Sequence, residues 1–122
     1  MLKTLPAFDI TGAVSRAVEQ ADRAPHRPVL VVISGHEVGT RRPVDGSLVI
    51  GRDPDIDLVL SDALISSRHA LLEDRGDSWT LVDLGSTNGT TVNGEKGHEF
   101  PLKHGDKIVF GATVVRFEMQ DR

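Results

Sequence analysis

The sequence predicts an all-β sandwich of about ten to eleven short strands, and three features carry that expectation. From Val29 onward the apolar residues come in short β-branched runs or alternate with polar ones, which is the period of a strand and not of a helix. Gly, Asn, Asp and Pro interrupt these runs every few residues, as turns between short strands require. No stretch after Pro28 carries a convincing helical period, and nothing repeats internally.

The first predicted strand, Val29 to Ile33, is a continuous β-branched and Leu run suited to a buried position. A turn around Gly35 leads to a second strand over Gly39 to Val44, and Asp45-Gly46 turns the chain into a third, Leu48 to Gly51. Asp57 to Leu60 is a short fourth. Arg68 to Asp74 is the fifth, with Ala70 and Leu72 on the face opposite Leu71. Arg75-Gly76-Asp77 closes a hairpin into Trp79 to Leu84. Thr90 to Val92 follows, then a turn at Asn93-Gly94, and Phe100 to Leu102, Lys107 to Phe110 and Thr113 to Met119 complete the set.

Residues 1–27 differ from the rest. Val14, Val18 and Ala21 recur at helical spacing, and Thr11 is placed to cap a helix over about residues 12–23, which alone would be marginal in water. Ala24 to Pro28 carries two prolines and reads as a linker. The expected division is therefore an N-terminal extension over 1–27, flexible or partly helical, a single β domain over 28–120, and a short end at 121–122. The extension is either an uninvolved tail or a docking segment.

Composition limits the function classes. An apolar fraction of 39% and a charged fraction of 26% are ordinary for a globular chain of 122 residues, enough for one modest core. A net charge of −4 argues against a nucleic-acid module, although a local cationic pocket is compatible with it. There is no cysteine, hence no disulfide framework. No apolar run approaches the ~20 residues of a membrane-spanning helix, and the first residues lack the apolar stretch of a signal peptide. The expected address is the cytoplasm.

Four short pieces stand out: Gly51-Arg52, then Ser66-Ser67-Arg68-His69, then Gly85-Ser86-Thr87-Asn88-Gly89-Thr90, then Asn93-Gly94. Each alone has an ordinary explanation. Arg52 could pair with Asp53 or Asp55 on the surface, Ser66 and Ser67 could be loop residues, and Thr87 and Asn88 turn formers. His69 suits a buried structural role, a neutral imidazole bonding to loop backbone. Together they form a set of anion-binding groups. A phosphate monoester near neutral pH carries nearly two charges and three acceptor oxygens. Arg52 supplies a fixed cation with a planar fork, Ser66 a hydroxyl donor, and Ser67 and Thr87 further donors, while Asn88 carries an amide able to grip a peptide backbone.

The order G-R, S-x-x-H, S-T-N-G-T, N-G resembles the forkhead-associated (FHA) domain, a β-sandwich that binds phosphothreonine peptides. The resemblance covers about residues 29–119, including Leu102 to Ile108 and Gly111 as the closing hairpin. It implies that Arg52 and Ser66 contact the phosphate, that Ser67 and Thr87 assist, and that Asn88 bonds the peptide main chain. Gly51, His69 and Gly89 shape the loops. Ser67 departs from the Arg or Asn of many relatives. Leu64, two before the phosphate-binding serine, implies an apolar residue three after the phosphothreonine. The implied partner is a protein or peptide phosphorylated by a Ser/Thr protein kinase, with no cofactor, metal, nucleic acid or membrane. Thr11, whose own third following residue is Val14, and Thr4 are candidate phosphorylation sites, giving docking in cis or self-association in trans.

Three other readings stand beside this one. A hydrolase built on Ser66, His69 and Asp83 lacks a G-x-S-x-G elbow, the Gly-rich stretch lacks the G-K-[ST] of a P-loop, and the five histidines show no metal-ligand spacing. A phosphate-independent interaction module remains an alternative, as does a regulatory domain cut from a larger enzyme such as a cyclic-dinucleotide cyclase.

Overall fold

Eleven strands form two sheets in the computed structural model, which describes residues 27–120. In chain order they are β1 (Arg27–Ser34), β2 (Arg41–Pro43), β3 (Leu48–Gly51), β4 (Leu58–Val59), β5 (Ala70–Asp74), β6 (Trp79–Asp83), β7 (Thr90–Val92), β8 (Glu95–Gly97), β9 (Glu99–Pro101), β10 (Lys107–Phe110) and β11 (Thr113–Gln120). One sheet runs β2-β1-β11-β10-β7-β8 and the other β4-β3-β5-β6-β9. The strand registers are antiparallel for β5 with β6, β7 with β8 and β10 with β11, whereas β3 and β4 run parallel, pairing Ile50 with Leu58. Pro28–Met119 makes up one compact unit. The expected helix over residues 12–23, and Thr4 and Thr11, lie outside the described residues.

The all-β class predicted from the sequence is the observed one. Its core follows from the alternation of the strands. Thr113, Val115 and Phe117 of β11 turn inward while Val114, Arg116 and Glu118 are half-buried. Ile108 and Phe110 of β10 do the same, and β1 buries Val29, Leu30, Val31 and Val32 in succession. Of these, Leu30, Val32, Ile108, Phe110, Val115 and Phe117 share one core with Ile50, Leu60, Ile65, Leu72 and Leu81, all essentially inaccessible to water. Each such side chain contributes about 1.5–3 kcal/mol of apolar transfer, which makes this core the main support of the loops at its edge.

Most strand ends differ from expectation by a residue or two, and three differences have a clear cause. β2 is confined to Arg41–Pro43, because Gly39 adopts φ 94° in the turn before it. β5 begins at Ala70, since Arg68 belongs to the preceding loop. β8, Glu95–Gly97, was not expected at all. Its residues have weak strand preference, and it forms because Asn93 and Gly94, at φ 52° and 85°, make a two-residue hairpin turn that folds Lys96 back opposite Thr91.

Candidate functional site

Three loops meet at one edge of the sandwich: the one after β3, the β4–β5 loop and the β6–β7 loop. Their approach is close. A Cβ on Gly51 would lie 2.2 Å from the Ser67 carbonyl oxygen and 2.9 Å from that of Ser66, so only glycine allows the backbones to pass. The contact is used for bonding: Arg52 N–H donates to the carbonyls of both Ser66 and Ser67, and Asp53 N–H to Ser67, each at 3.1 Å. Arg52 and the Ser66-Ser67 pair are thus fixed beside each other by main chain.

The Arg52 side chain is exposed, and its Nε donates to the Ile65 carbonyl at 2.8 Å. This single bond orients the guanidinium and leaves both terminal nitrogens without a partner among the described residues. The surface ion pair with Asp53 or Asp55 is not formed; Asp53 instead accepts the N–H of Asp55 at 2.9 Å. Half-buried Ser66 accepts the Thr87 N–H at its Oγ, 3.0 Å, which ties the β4–β5 loop to the β6–β7 loop. With the oxygen so engaged, the hydroxyl proton remains to be donated outward. Ser67, Thr87 and Asn88 are exposed. Asn88 donates from Nδ2 to the Leu64 carbonyl at 2.7 Å, leaving its carbonyl oxygen and second N–H for a ligand. Leu64 itself is 51% exposed beside this contact.

His69 is fully buried beneath these loops. Its Nδ1 accepts the Ser66 N–H at 3.1 Å, so Nε2 carries the proton and donates to the Gly89 carbonyl at 2.9 Å. The ring stands edge-on to Phe110, centroids 5.3 Å apart, which connects the loops to the core. His69 therefore bonds the backbone of Ser66 and not its hydroxyl, and no Ser66–His69 nucleophile pair exists. Gly89, at φ 84°, holds the left-handed conformation that ends the β6–β7 loop.

The sequence reading missed what builds that loop. Ser86, a polar residue of the Gly85–Thr90 turn, faces inward: its Oγ donates to Asp83 Oδ2 at 2.7 Å and accepts the Gly89 N–H at 2.9 Å. Asp83 also accepts the Ser86 N–H at 2.8 Å and the Thr90 hydroxyl at 2.7 Å. Burial alone would push the Asp83 carboxyl up, but the bonds from Thr90 and Ser86 outweigh it and hold it below the usual carboxylate range. A side chain that bonds its own backbone three residues on is the signal of such a turn, and D-x-x-S carries it here.

The site thus presents a guanidinium fork, hydroxyls and an amide on a buried scaffold, with no ion pair to the cation among the described residues. The FHA domain family model matches residues 48–111, and the chain belongs to that family. It is 42% identical over 84 residues to the oxoglutarate dehydrogenase inhibitor of Corynebacterium jeikeium, an alignment covering 68% of this chain and 58% of the relative. It is 38% identical over 88 residues to the glycogen accumulation regulator GarA of Mycobacterium tuberculosis, covering 71% and 54%. The chain spans little more than half the length of these curated relatives. Among solved structures, an FHA domain from a study of phosphothreonine-dependent FHA domain interactions superposes with a TM-score of 0.72 at 34% identity, covering 79% of this chain and 99% of that one.

Proposed function

We propose that this chain is a non-catalytic reader of phosphothreonine peptides, acting in the cytoplasm downstream of a Ser/Thr protein kinase. The observation that carries the reading is the pairing of Arg52 and Ser66. Main-chain bonds hold them side by side, the guanidinium ends have no partner among the described residues, and the Ser66 hydroxyl, accepting from Thr87 N–H, keeps its proton to donate. A dianionic phosphate would take both, with the exposed Thr87 and Ser67 as further donors. Charge-assisted hydrogen bonds contribute about 1.5–3 kcal/mol each, so two or three make the phosphate the dominant anchor. Asn88 would bond the peptide main chain, and Leu64 would offer an apolar contact to a residue further along it.

The names of the similar proteins support a regulatory role, and the solved relative is tied by name to phosphothreonine-dependent interactions. Partners of this chain are then proteins that carry a phosphothreonine, with Thr11 or Thr4 of its own N-terminal segment as candidates. Calorimetric titration with one peptide in phosphothreonine, phosphoserine and unphosphorylated forms tests the reading. Binding is expected only with phosphate, tightest for phosphothreonine, and absent in Arg52→Ala. Equal binding of the unphosphorylated peptide would favour a phosphate-independent interface instead.

A further inference from the structure

The β4–β5 loop turns at Asp62, a carboxylate only 9% exposed. Its Oδ1 accepts the Leu64 N–H at 2.9 Å and its main-chain carbonyl accepts the Ile65 N–H at 3.0 Å, so residues 62–65 close a tight turn on themselves. Oδ2 accepts the Ala112 N–H at 2.7 Å and the Thr113 hydroxyl at 3.2 Å, which ties the turn to the β10–β11 connection. The Ile65 side chain anchors the turn in the core. Gly111 lets the connection pass: a Cβ there would stand 2.9 Å from Leu64 Cβ and 3.1 Å from Asp62 Oδ2. The Leu64 N–H is the main reason that the Asp62 carboxyl lies below the usual carboxylate range, against the burial that opposes its ionisation.

Two carbonyls of this turn accept from side chains assigned above to the ligand. That of Leu64 accepts Asn88 Nδ2 at 2.7 Å, and that of Ile65 accepts Arg52 Nε at 2.8 Å. Among the described residues, each is that side chain's one hydrogen bond. We propose that Asp62 is a positioning residue of the phosphopeptide site: through the Leu64 and Ile65 carbonyls it fixes where Asn88 and Arg52 stand relative to each other, and it touches no ligand itself. This deepens the phosphothreonine reading and rests on it. What Asp62 contributes is preorganisation. An amide and a guanidinium that are already aimed lose less rotamer freedom when the peptide arrives. Without the turn, the peptide would have to order both.

The test uses the full chain and one phosphothreonine peptide. Asp62→Asn keeps the size of the side chain but puts an N–H donor where one acceptor oxygen stood, so an anchoring bond is lost. It is expected to bind the peptide about tenfold more weakly than wild type, because two donors lose their preset aim. In the free protein, the Arg52 Nε–H and Asn88 side-chain amide resonances should shift together, which a general loss of stability would not do. Thr113→Val is the control. It removes only the hydroxyl bond to Oδ2, so it should cost stability, bind within about twofold of wild type and leave both resonances in place. Gly111→Ala reaches the turn from the other side, pressing a methyl on Leu64 and Asp62, and it decides the matter where Asp62→Asn does not fold. It should shift the same two resonances and weaken binding likewise. Wild-type affinity in Asp62→Asn, unmoved resonances, or an equal loss in Thr113→Val overturns the positioning role and leaves the phosphothreonine reading intact. Failure of wild type to bind the phosphorylated peptide removes that reading, and the role with it.

Discussion

His69 Nε2 donates to the Gly89 carbonyl at 2.9 Å while Nδ1 of the same ring accepts from Ser66, so one buried imidazole fixes the two loops that present Ser66 and Thr87. Both bonds require the tautomer protonated at Nε2. A long-range nitrogen–proton spectrum should show Nδ1 unprotonated. His69→Ala leaves a cavity and two backbone groups without their partner, so urea denaturation should show a loss of roughly 3–5 kcal/mol. Phosphopeptide affinity should fall with it, although His69 faces no ligand.

Gly51→Ala should be costly for a reason unrelated to glycine's freedom of φ. The added methyl meets the carbonyls of Ser66 and Ser67, which are backbone and cannot rotate away. A loss of about 1–3 kcal/mol in denaturation is expected, as for other overpacked sites. Amide shifts should concentrate at Arg52, Asp53 and Ser67. A variant as stable as wild type with unshifted loop amides would refute the close approach.

The carboxylate of Asp83 gives the β6–β7 loop an acid limit. Its acidity is raised in the folded state, so ionised Asp83 favours folding at every pH above the ordinary carboxylate value of about 3.9. The contribution is lost as pH falls through that value toward the lowered folded one. Asp106 behaves alike: burial opposes its ionisation, and bonds from Lys103 N–H, Asn93 and the Lys103 ammonium outweigh it. Stability measured from pH 6 to pH 2 should hold down to about pH 4 and then decline. Asp83→Asn should be less stable at neutral pH and show a shallower acid decline.

Affinity has a separate pH dependence, set by the ligand. The second ionisation of a phosphate monoester lies near pH 6, so binding should weaken as pH falls from about 7.5 to 5.5, where the fold is still intact. A flat profile over that interval would contradict recognition of the dianion.

Much of this was legible in the sequence because it is local. Turn residues and alternation marked the strands of the core, and the residues at 52, 66, 87 and 88, picked out for their donor groups, sit on loops that the fold brings together. What was not legible depends on distant partners. Glu95-Lys96-Gly97 has no strand character of its own and acquires it from β7. Ser86 reads as one more polar turn residue until the end of β6 places the Asp83 carboxylate beneath it. The resemblance marks Gly51 as a loop-shaping residue, but the reason is not local: it lies in the Ser66 and Ser67 carbonyls of another loop.

The central claim is that Arg52 and Ser66 form a phosphate-dependent site. Amide NMR titration of the full chain with a phosphothreonine peptide library, beside its unphosphorylated counterpart, tests it most directly. Shifts are expected at Arg52, Ser66, Ser67, Thr87 and Asn88 with the phosphorylated library alone, and none in Arg52→Ala, whose spectrum should otherwise match a folded protein. The same shifts from both libraries, or from neither, would contradict the claim.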